Sequence, residues 1–123
     1  MIGYTSVGTN DLSRAAGFYD ELLGAFGAQR VFEMPDFIVW AVSENTPAFS
    51  VHIPIDGKAA SVGNGTMIAL SGSSRAQVDE VYKKAIDLGA VSEGAPGQRH
   101  ENGFYAAYFR DPDGNKLNVH FMG

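Results

Sequence analysis

The sequence predicts an α+β fold that is built from two copies of one module, and three observations support this prediction. The chain has 123 residues, of which 45% are hydrophobic and 19% charged, as expected for one domain with a packed core. Short segments with strand character surround two stretches of helical periodicity. The order of these segments, which is one strand, one helix and three strands, occurs twice.

The first module begins with a predicted strand at Tyr4–Val7 and continues into a helix, whose apolar residues recur at three- and four-residue steps. Thr9 or Asn10 is expected to cap this helix. Gly24 and Gly27 are expected to end it. Three further strands are predicted at residues 31–33, 37–42 and 49–53.

The second module repeats this order, with a strand at Met67–Leu70 and a helix that begins after Gly72–Ser74 and ends at Gly89. A glycine-rich loop is expected at Gly94–Gly103, and Asp111–Gly114 predicts a turn before the last strand. The three strands of this module are predicted at residues 90–93, 104–109 and 116–121.

The two modules align with each other along the chain. Tyr4 corresponds to Met67, and Phe49–Ile53 corresponds to Leu117–Phe121. A repeat of about sixty residues indicates an internal duplication. The expected organisation is a single domain with module one at about 1–56, a linker at about 57–65 and module two at about 66–123.

Composition excludes several classes of function. The chain has no cysteine, so disulfides and thiolate metal sites are absent. Nine basic residues against fourteen acidic ones, without a basic cluster, argue against nucleic-acid binding. No signal peptide is visible, and no apolar stretch approaches the ~20 residues that span a bilayer. We therefore expect a cytoplasmic protein without nucleic-acid or membrane partners.

Two motifs carry a family resemblance. Gly8–Leu12, followed by Ala15–Ala16 and Phe18–Tyr19, resembles the opening of the glyoxalase/bleomycin-resistance/extradiol-dioxygenase (vicinal oxygen chelate) superfamily. Tyr108–Asn115 is similar to the family's hairpin before the last strand. The resemblance covers nearly the whole chain. It implies two βαβββ modules that form an open eight-stranded barrel-like sheet with a concave cleft for ligand or metal, and it implies a homodimer.

The resemblance also identifies where a metal would bind. Metal-binding members of the family take one ligand, typically His, Gln or Glu, from the first and last strand of each module. These positions correspond to Tyr4, Ser50, Met67 and Asn118 in this sequence. Such side chains do not form the donor set that divalent cations prefer. We therefore expect no metal, no cofactor and no metal-dependent glyoxalase I or extradiol chemistry.

Three further residues are candidates for contact with a ligand. His52 and His120 each follow a family ligand position by two residues, so strand alternation places them on the cleft face. They can contact a ligand, recruit a metal, or be strand histidines with satisfied nitrogens. Arg99, in the glycine-rich loop, can clamp a carboxylate or phosphate or remain solvated. The predicted ligand-binding set is Tyr4, Ser50, His52, Met67, Arg99, Asn118 and His120, with no catalytic residue assigned.

Other side chains allow two interpretations. Four aromatic residues can line the cleft or pack in the core, since periodicity does not say which face of a strand points inward: Phe37, Trp40, Tyr105 and Tyr108. Glu33 and Glu101 lie near predicted strands and are general-base candidates, but no partner fixes either one, so we expect both to be solvated.

The sequence thus predicts a metal-independent family member that binds a small organic molecule in an apolar cleft. A glyoxalase-like lyase or isomerase with an unorthodox site is one alternative. The other is a dimerisation or interaction module without catalysis.

Overall fold

A computed structural model describes residues 1–123, which divide into two compact units, Met1–Gly63 and Asn64–Gly123, each with one βαβββ module. The first contains β1 (Tyr4–Gly8), α1 (Leu12–Gly24), β2 (Gln29–Met34), β3 (Phe37–Ala41) and β4 (Ala48–His52). The second contains β5 (Ile68–Ser71), α2 (Arg75–Asp87), β6 (Val91–Gln98), β7 (Tyr105–Arg110) and β8 (Lys116–Phe121). The predicted α+β class with two βαβββ modules is confirmed. Neither helix has the length and apolar character needed to cross a bilayer.

Each module has one four-stranded mixed sheet, and the strand order is the same in both. The first sheet runs β1-β4-β3-β2 and the second β5-β8-β7-β6, with the first strand of each module parallel to its last. Ser6 pairs with Ser50 in the first sheet, and Ala69 pairs with Asn118 in the second. The equivalence of Ser50 and Asn118 that the duplication predicts therefore holds in the register of the strands.

The helix of the first module covers one face of its sheet through an aromatic cluster. The rings of Trp40 and Phe49 lie 5.9 and 4.6 Å from the ring of Tyr19 on α1, measured between centroids. All three side chains are buried. Burial of each contributes about 1.5–3 kcal/mol, so this cluster fixes which face of the sheet is left for other contacts.

Asp11 caps α1, so the prediction that Thr9 or Asn10 caps it is wrong. The Asp11 carboxylate accepts a hydrogen bond from the Arg14 amide at 3.0 Å. The other two side chains have different partners: Thr9 Oγ1 accepts from the Asp11 amide, and Asn10 Oδ1 accepts from the Ala60 amide. Local sequence does not distinguish among three adjacent residues that are all good caps.

The prediction of a short strand followed by a loop at residues 94–103 is also wrong, because β6 extends to Gln98. Gly94 pairs with Tyr108 and Gly97 with Ala106, on either side of a register shift. Glycine has low strand propensity, but the neighbouring strand β7 supplies hydrogen-bond partners that sequence periodicity does not reveal. Arg99 consequently lies just after a strand, and its amide donates to the Phe104 carbonyl at 2.7 Å.

The hairpin motif before β8 has a structural role. The buried Asp111 carboxylate accepts hydrogen bonds from the amides of Asp113 and Asn115 and from Asn115 Nδ2, each at 2.9 Å. Gly114 has φ +92°, a conformation that favours glycine. These bonds fix the turn that aligns β8 with β7.

Candidate functional site

The first sheet has one face against α1 and one face that carries a cavity. Alternation along β3 and β4 turns Ile38, Trp40, Phe49 and Val51 toward the helix side, where they are buried. The opposite face carries Phe37 and Val39 of β3 with Ser50 and His52 of β4. The cavity that lies on this face has a volume of about 710 Å³. This volume is within the range of small-molecule sites, ~300–1,000 Å³.

Apolar side chains form most of the cavity wall, and a few polar groups lie among them. The apolar wall comes from three strands and the segment after β4; its larger members are Tyr4, Phe37, Val39, Ile53 and Ile55. The polar lining consists of Ser6, Asp36, Ser50 and His52. The Ile53 amide donates to the Asp36 carbonyl at 2.8 Å, which ties the segment after β4 to the turn before β3. An apolar wall with few polar groups is typical of a site for an organic ligand.

Two polar side chains of the cavity are joined to each other. His52 Nδ1 and Ser6 Oγ lie 2.6 Å apart in a hydrogen bond whose donor depends on the imidazole tautomer. The bond orients the imidazole ring and leaves its Nε2 without a hydrogen bond. Ser50 is buried, and its hydroxyl donates to the Thr5 carbonyl at 3.0 Å. His52 Nε2 and the Asp36 carboxylate are therefore the polar groups that the cavity offers to a ligand.

The second module carries the other four predicted site residues, two in β8 and two next to strand ends. Asn118 is buried, and its Oδ1 lies 3.0 Å from Nδ1 of His120. The His120 ring stacks on Phe104 at 5.5 Å. Arg99 lies over the ring of Tyr108 at 5.5 Å. Met67 precedes β5 and is exposed. The structure thus brings together Tyr4, Ser50 and His52 in one cavity, whereas Met67, Arg99, Asn118 and His120 belong to the other module.

The donor set at the four family metal positions does not fit a divalent cation. Within the first module the pair is a phenol and a serine whose hydroxyl already donates to a carbonyl: Tyr4 and Ser50. Within the second it is a thioether and an amide whose oxygen already faces His120: Met67 and Asn118. Hard and borderline cations prefer carboxylates and imidazoles, which these positions lack. No group of three or more His, Asp or Glu side chains with metal-binding geometry is present.

Several other candidates are resolved by the structure. Trp40 is core, and its Nε1 donates to Asp20 Oδ1 at 2.9 Å. The Tyr105 hydroxyl donates to Asp79 of α2 at 2.6 Å, and this bond raises the pKa of Tyr105. Glu33 is not merely solvated, since Arg30 Nη1 lies 2.9 Å from its carboxylate. Glu101 is exposed, as expected.

Ser6, Asp36, Ile53 and Ile55 are among the cavity residues that sequence reasoning missed. Ser6 could have been found from strand pairing, since it lies beside Ser50 in the parallel ladder. The other three lie in or next to turns, whose path over the sheet has no periodic signal.

The fold and the cavity define a glyoxalase-type module pair, and the comparisons identify the family. The model of the Glyoxalase/Bleomycin resistance protein/Dioxygenase superfamily matches residues 1–119, and the chain belongs to this superfamily.

Solved structures agree with this assignment. The chain is 32% identical to a glyoxalase/bleomycin resistance protein from Albidiferax ferrireducens T118, with a TM-score of 0.91 over 100% of this chain and 99% of that chain. It is similar in fold to a glyoxalase/bleomycin resistance protein/dioxygenase family enzyme from Burkholderia phytofirmans PsJN, at 17% identity and TM-score 0.77 over 98% of both chains. Lactoylglutathione lyase from Agrobacterium tumefaciens shares the fold at 23% identity and TM-score 0.73, over 98% of this chain and 92% of that chain. No curated protein matches the sequence.

Proposed function

We propose that the protein is a metal-independent member of the superfamily that binds a small organic molecule in the cavity of its first module. The single observation that carries this proposal is the cavity of about 710 Å³, with apolar walls around a hydrogen-bonded histidine. The ligand that fits this lining has an apolar or aromatic body that contacts Phe37, Val39 and Ile53. It has one polar group that hydrogen-bonds to His52 Nε2.

The charge of the lining favours a neutral or cationic ligand. Asp36 is the one acidic side chain in the lining, and no Lys or Arg takes part in it. The whole chain also carries a net charge of -5. An anionic ligand would therefore meet repulsion at this cavity.

Metal independence is supported by the chemistry of the donors at the family positions. In this proposal Tyr4 and Ser50 shape the cavity and do not chelate. The predicted roles of Met67 and His120 in ligand contact stay predictions.

A second candidate function is metal-free proton transfer by His52, as in an isomerase or lyase. The observation that favours it is the 2.6 Å bond between His52 Nδ1 and Ser6 Oγ, which fixes the ring; in the tautomer whose Nδ1–H donates to Ser6, Nε2 is the proton-accepting atom. Solvent deuterium incorporation into a bound ligand, lost in His52→Gln, would distinguish this enzyme from a binding protein.

The binding proposal is tested with an aromatic and cationic fragment library, by ligand-observed NMR and thermal shift in the presence of a chelator. Val39→Trp fills the cavity from its floor and should abolish binding of any hit. Val62→Trp, at an exposed site of the same unit outside the lining, is the matched control and should retain binding. At one hundred times its Kd, a hit stabilises the protein by about 2.7 kcal/mol, or roughly 10 °C in Tm. Equal binding by both variants would place the ligand elsewhere.

We further propose that the protein is a homodimer. Strand β2 is an edge strand, exposed along its length, and carries Val31, Phe32 and Met34 with 59%, 52% and 46% of their surface accessible. Apolar side chains on a sheet edge favour association with another copy. Light scattering after gel filtration should give twice the monomer mass of 13.1 kDa.

A further inference from the structure

The open face of the second sheet differs in charge from the first, because two cations converge on one aromatic ring. The guanidinium carbon of Arg99 lies 5.5 Å from the centroid of the Tyr108 ring. The Lys116 ammonium lies 5.6 Å from the same centroid. Tyr108 pairs with Asn118, and Lys116 lies two residues before Asn118 in β8, so these three side chains share one face of the sheet. Arg99 lies on the same side, since a Cβ at Gly94 would meet both Arg99 Nη2 and Tyr108 Cδ2 at 3.3 Å.

The position of Arg99 is fixed by its surroundings. One of its Nη atoms donates to the Ala95 carbonyl. Its guanidinium lies directly over two glycines of β6, because a Cβ at Gly97 would meet Arg99 Nη1 at 2.9 Å and one at Gly94 would meet Nη2 at 3.3 Å. The glycines that hid β6 from sequence analysis therefore leave the space in which this arginine lies. Because its side chain is already ordered, Arg99 would lose little conformational entropy when it binds a ligand.

Neither cation has a carboxylate partner, although acidic residues outnumber basic ones in the chain. Arg30, Lys83 and Arg110 form ion pairs, whereas Arg99 and Lys116 form none. The carboxylate within electrostatic reach of Lys116 is Glu93. It is hydrogen-bonded to Arg110, and this bond, more than Lys116, lowers its pKa.

A neutral donor completes the arrangement. Asn118 uses its Oδ1 toward His120, and its Nδ2 makes no hydrogen bond. This amide is not a fully buried orphan, since no buried side-chain nitrogen or oxygen lacks a partner. Asn118 as a whole is 3% exposed, so its N–H groups reach the face that carries Arg99 and Lys116 over only a small area.

We propose that this face of the second module binds a small oxyanion, a carboxylate or a phosphate group, through Arg99, Lys116 and Asn118. The guanidinium supplies a planar pair of N–H donors, the ammonium a point charge, and the amide a neutral donor. The bound anion neutralises two cations that lie near the same ring. This site is formed by residues of the second module alone and does not depend on the function proposed for the first.

The test is a titration of the full chain with inorganic phosphate in one arm and acetate in the other. Binding is measured from the NMR signals of the backbone amides. Arg99→Gln and Lys116→Gln should each weaken binding at least tenfold. Lys58→Gln, which removes an equal charge from an exposed site in the first module, is the matched control and should bind as the wild type does. Thermal melts establish that all variants are folded.

The two arms identify the anion, and either one that shows saturable, Arg99-dependent binding supports the site. Equal weakening in all three variants would show general charge screening and overturn the proposal. Absence of saturation in both arms with the wild type would also overturn it. Val39→Trp should leave anion binding unchanged, so failure of this site and failure of the cavity proposal can be told apart.

Discussion

Asp20 of α1 offers the sharpest test of how the first module is held together. Its Oδ1 accepts hydrogen bonds from Arg30 Nε at 2.8 Å and from Trp40 Nε1 at 2.9 Å, and its Oδ2 accepts from Arg30 Nη2 at 2.7 Å. Trp40 is 1% exposed, whereas the side chains of Asp20 and Arg30 are 40% and 32% exposed. The indole donor is therefore buried and its bond to Asp20 is partly buried, whereas the ion pair is more exposed to solvent.

The two contributions have different sizes. An indole N–H that loses its acceptor inside the core destabilises the fold by about 1–3 kcal/mol. A partly exposed ion pair contributes only about 0.2–1 kcal/mol, because water and salt screen it. Asp20→Ala removes both contributions and should lower the free energy of unfolding by about 2–3 kcal/mol, or roughly 10 °C in Tm. Asp20→Asn keeps an acceptor for Trp40 but turns an N–H toward Arg30, and should lose about 1 kcal/mol.

The effect of pH separates these contributions further. The hydrogen bond from Arg30 lowers the pKa of Asp20 below its ordinary value of 3.8, and it raises the pKa of Arg30. A carboxyl group with a lowered folded-state pKa stabilises the protein fully above its unfolded pKa, and this contribution is lost as pH falls through the folded pKa. The difference between wild type and Asp20→Asn should therefore be constant near neutral pH and shrink below about pH 4.

Urea denaturation followed by tryptophan fluorescence measures all three proteins, because Trp40 is the only tryptophan. Equal stability of Asp20→Ala and Asp20→Asn would refute the assignment of the larger contribution to the indole bond. A difference between wild type and Asp20→Asn that persists unchanged at pH 2.5 would refute the assignment of the remainder to the ion pair.

Three further predictions follow from the turns and the donor set. Asp111→Ala should lower the free energy of unfolding by about 3 kcal/mol, because it leaves several donors of a buried turn without an acceptor, and calorimetry checks this. Gly27→Ala should lower the free energy of unfolding by about 1 kcal/mol, because Gly27 has φ +81°. Gly17→Ala on α1 should leave the free energy of unfolding unchanged or raise it, because a new Cβ there meets nothing within 4 Å. Addition of Zn²⁺, Ni²⁺ or Mn²⁺, or removal of metal with a chelator, should change Tm by less than about 2 °C; a stoichiometric metal with a shift equivalent to several kcal/mol would contradict metal independence.

The part of the fold that the sequence revealed is the part with a local period. The apolar steps of α1 and α2, the turn at Asp111–Gly114 and the alternation of β8 are properties of consecutive residues, and they place these elements within a few positions of their actual bounds. The duplication also predicted that Ser50 and Asn118 occupy equivalent positions in their sheets, because the repeated sequence pattern aligns the two residues.

The other features of the fold and of the candidate site depend on contacts between residues that are distant in the chain. The length of β6 comes from β7, and the identity of the α1 cap comes from what Asn10 binds in the linker. The cavity lies on the side of β3 and β4 that faces away from α1. The aromatic cluster determines which side of the sheet this is, and sequence periodicity does not. The positions of Arg99 and Lys116 near Tyr108 likewise depend on contacts among β7, β8 and the segment after β6.

The shared register of the two sheets has a consequence for how such a protein can change over evolutionary time. Ser50 and Asn118 occupy the same position in the two halves, and each is flanked by residues that pack under its own helix. A mutation at either position leaves the packing of its two neighbours under the helix in place, because neighbouring residues of a strand point to opposite sides. The two halves therefore present two equivalent positions that selection can change independently.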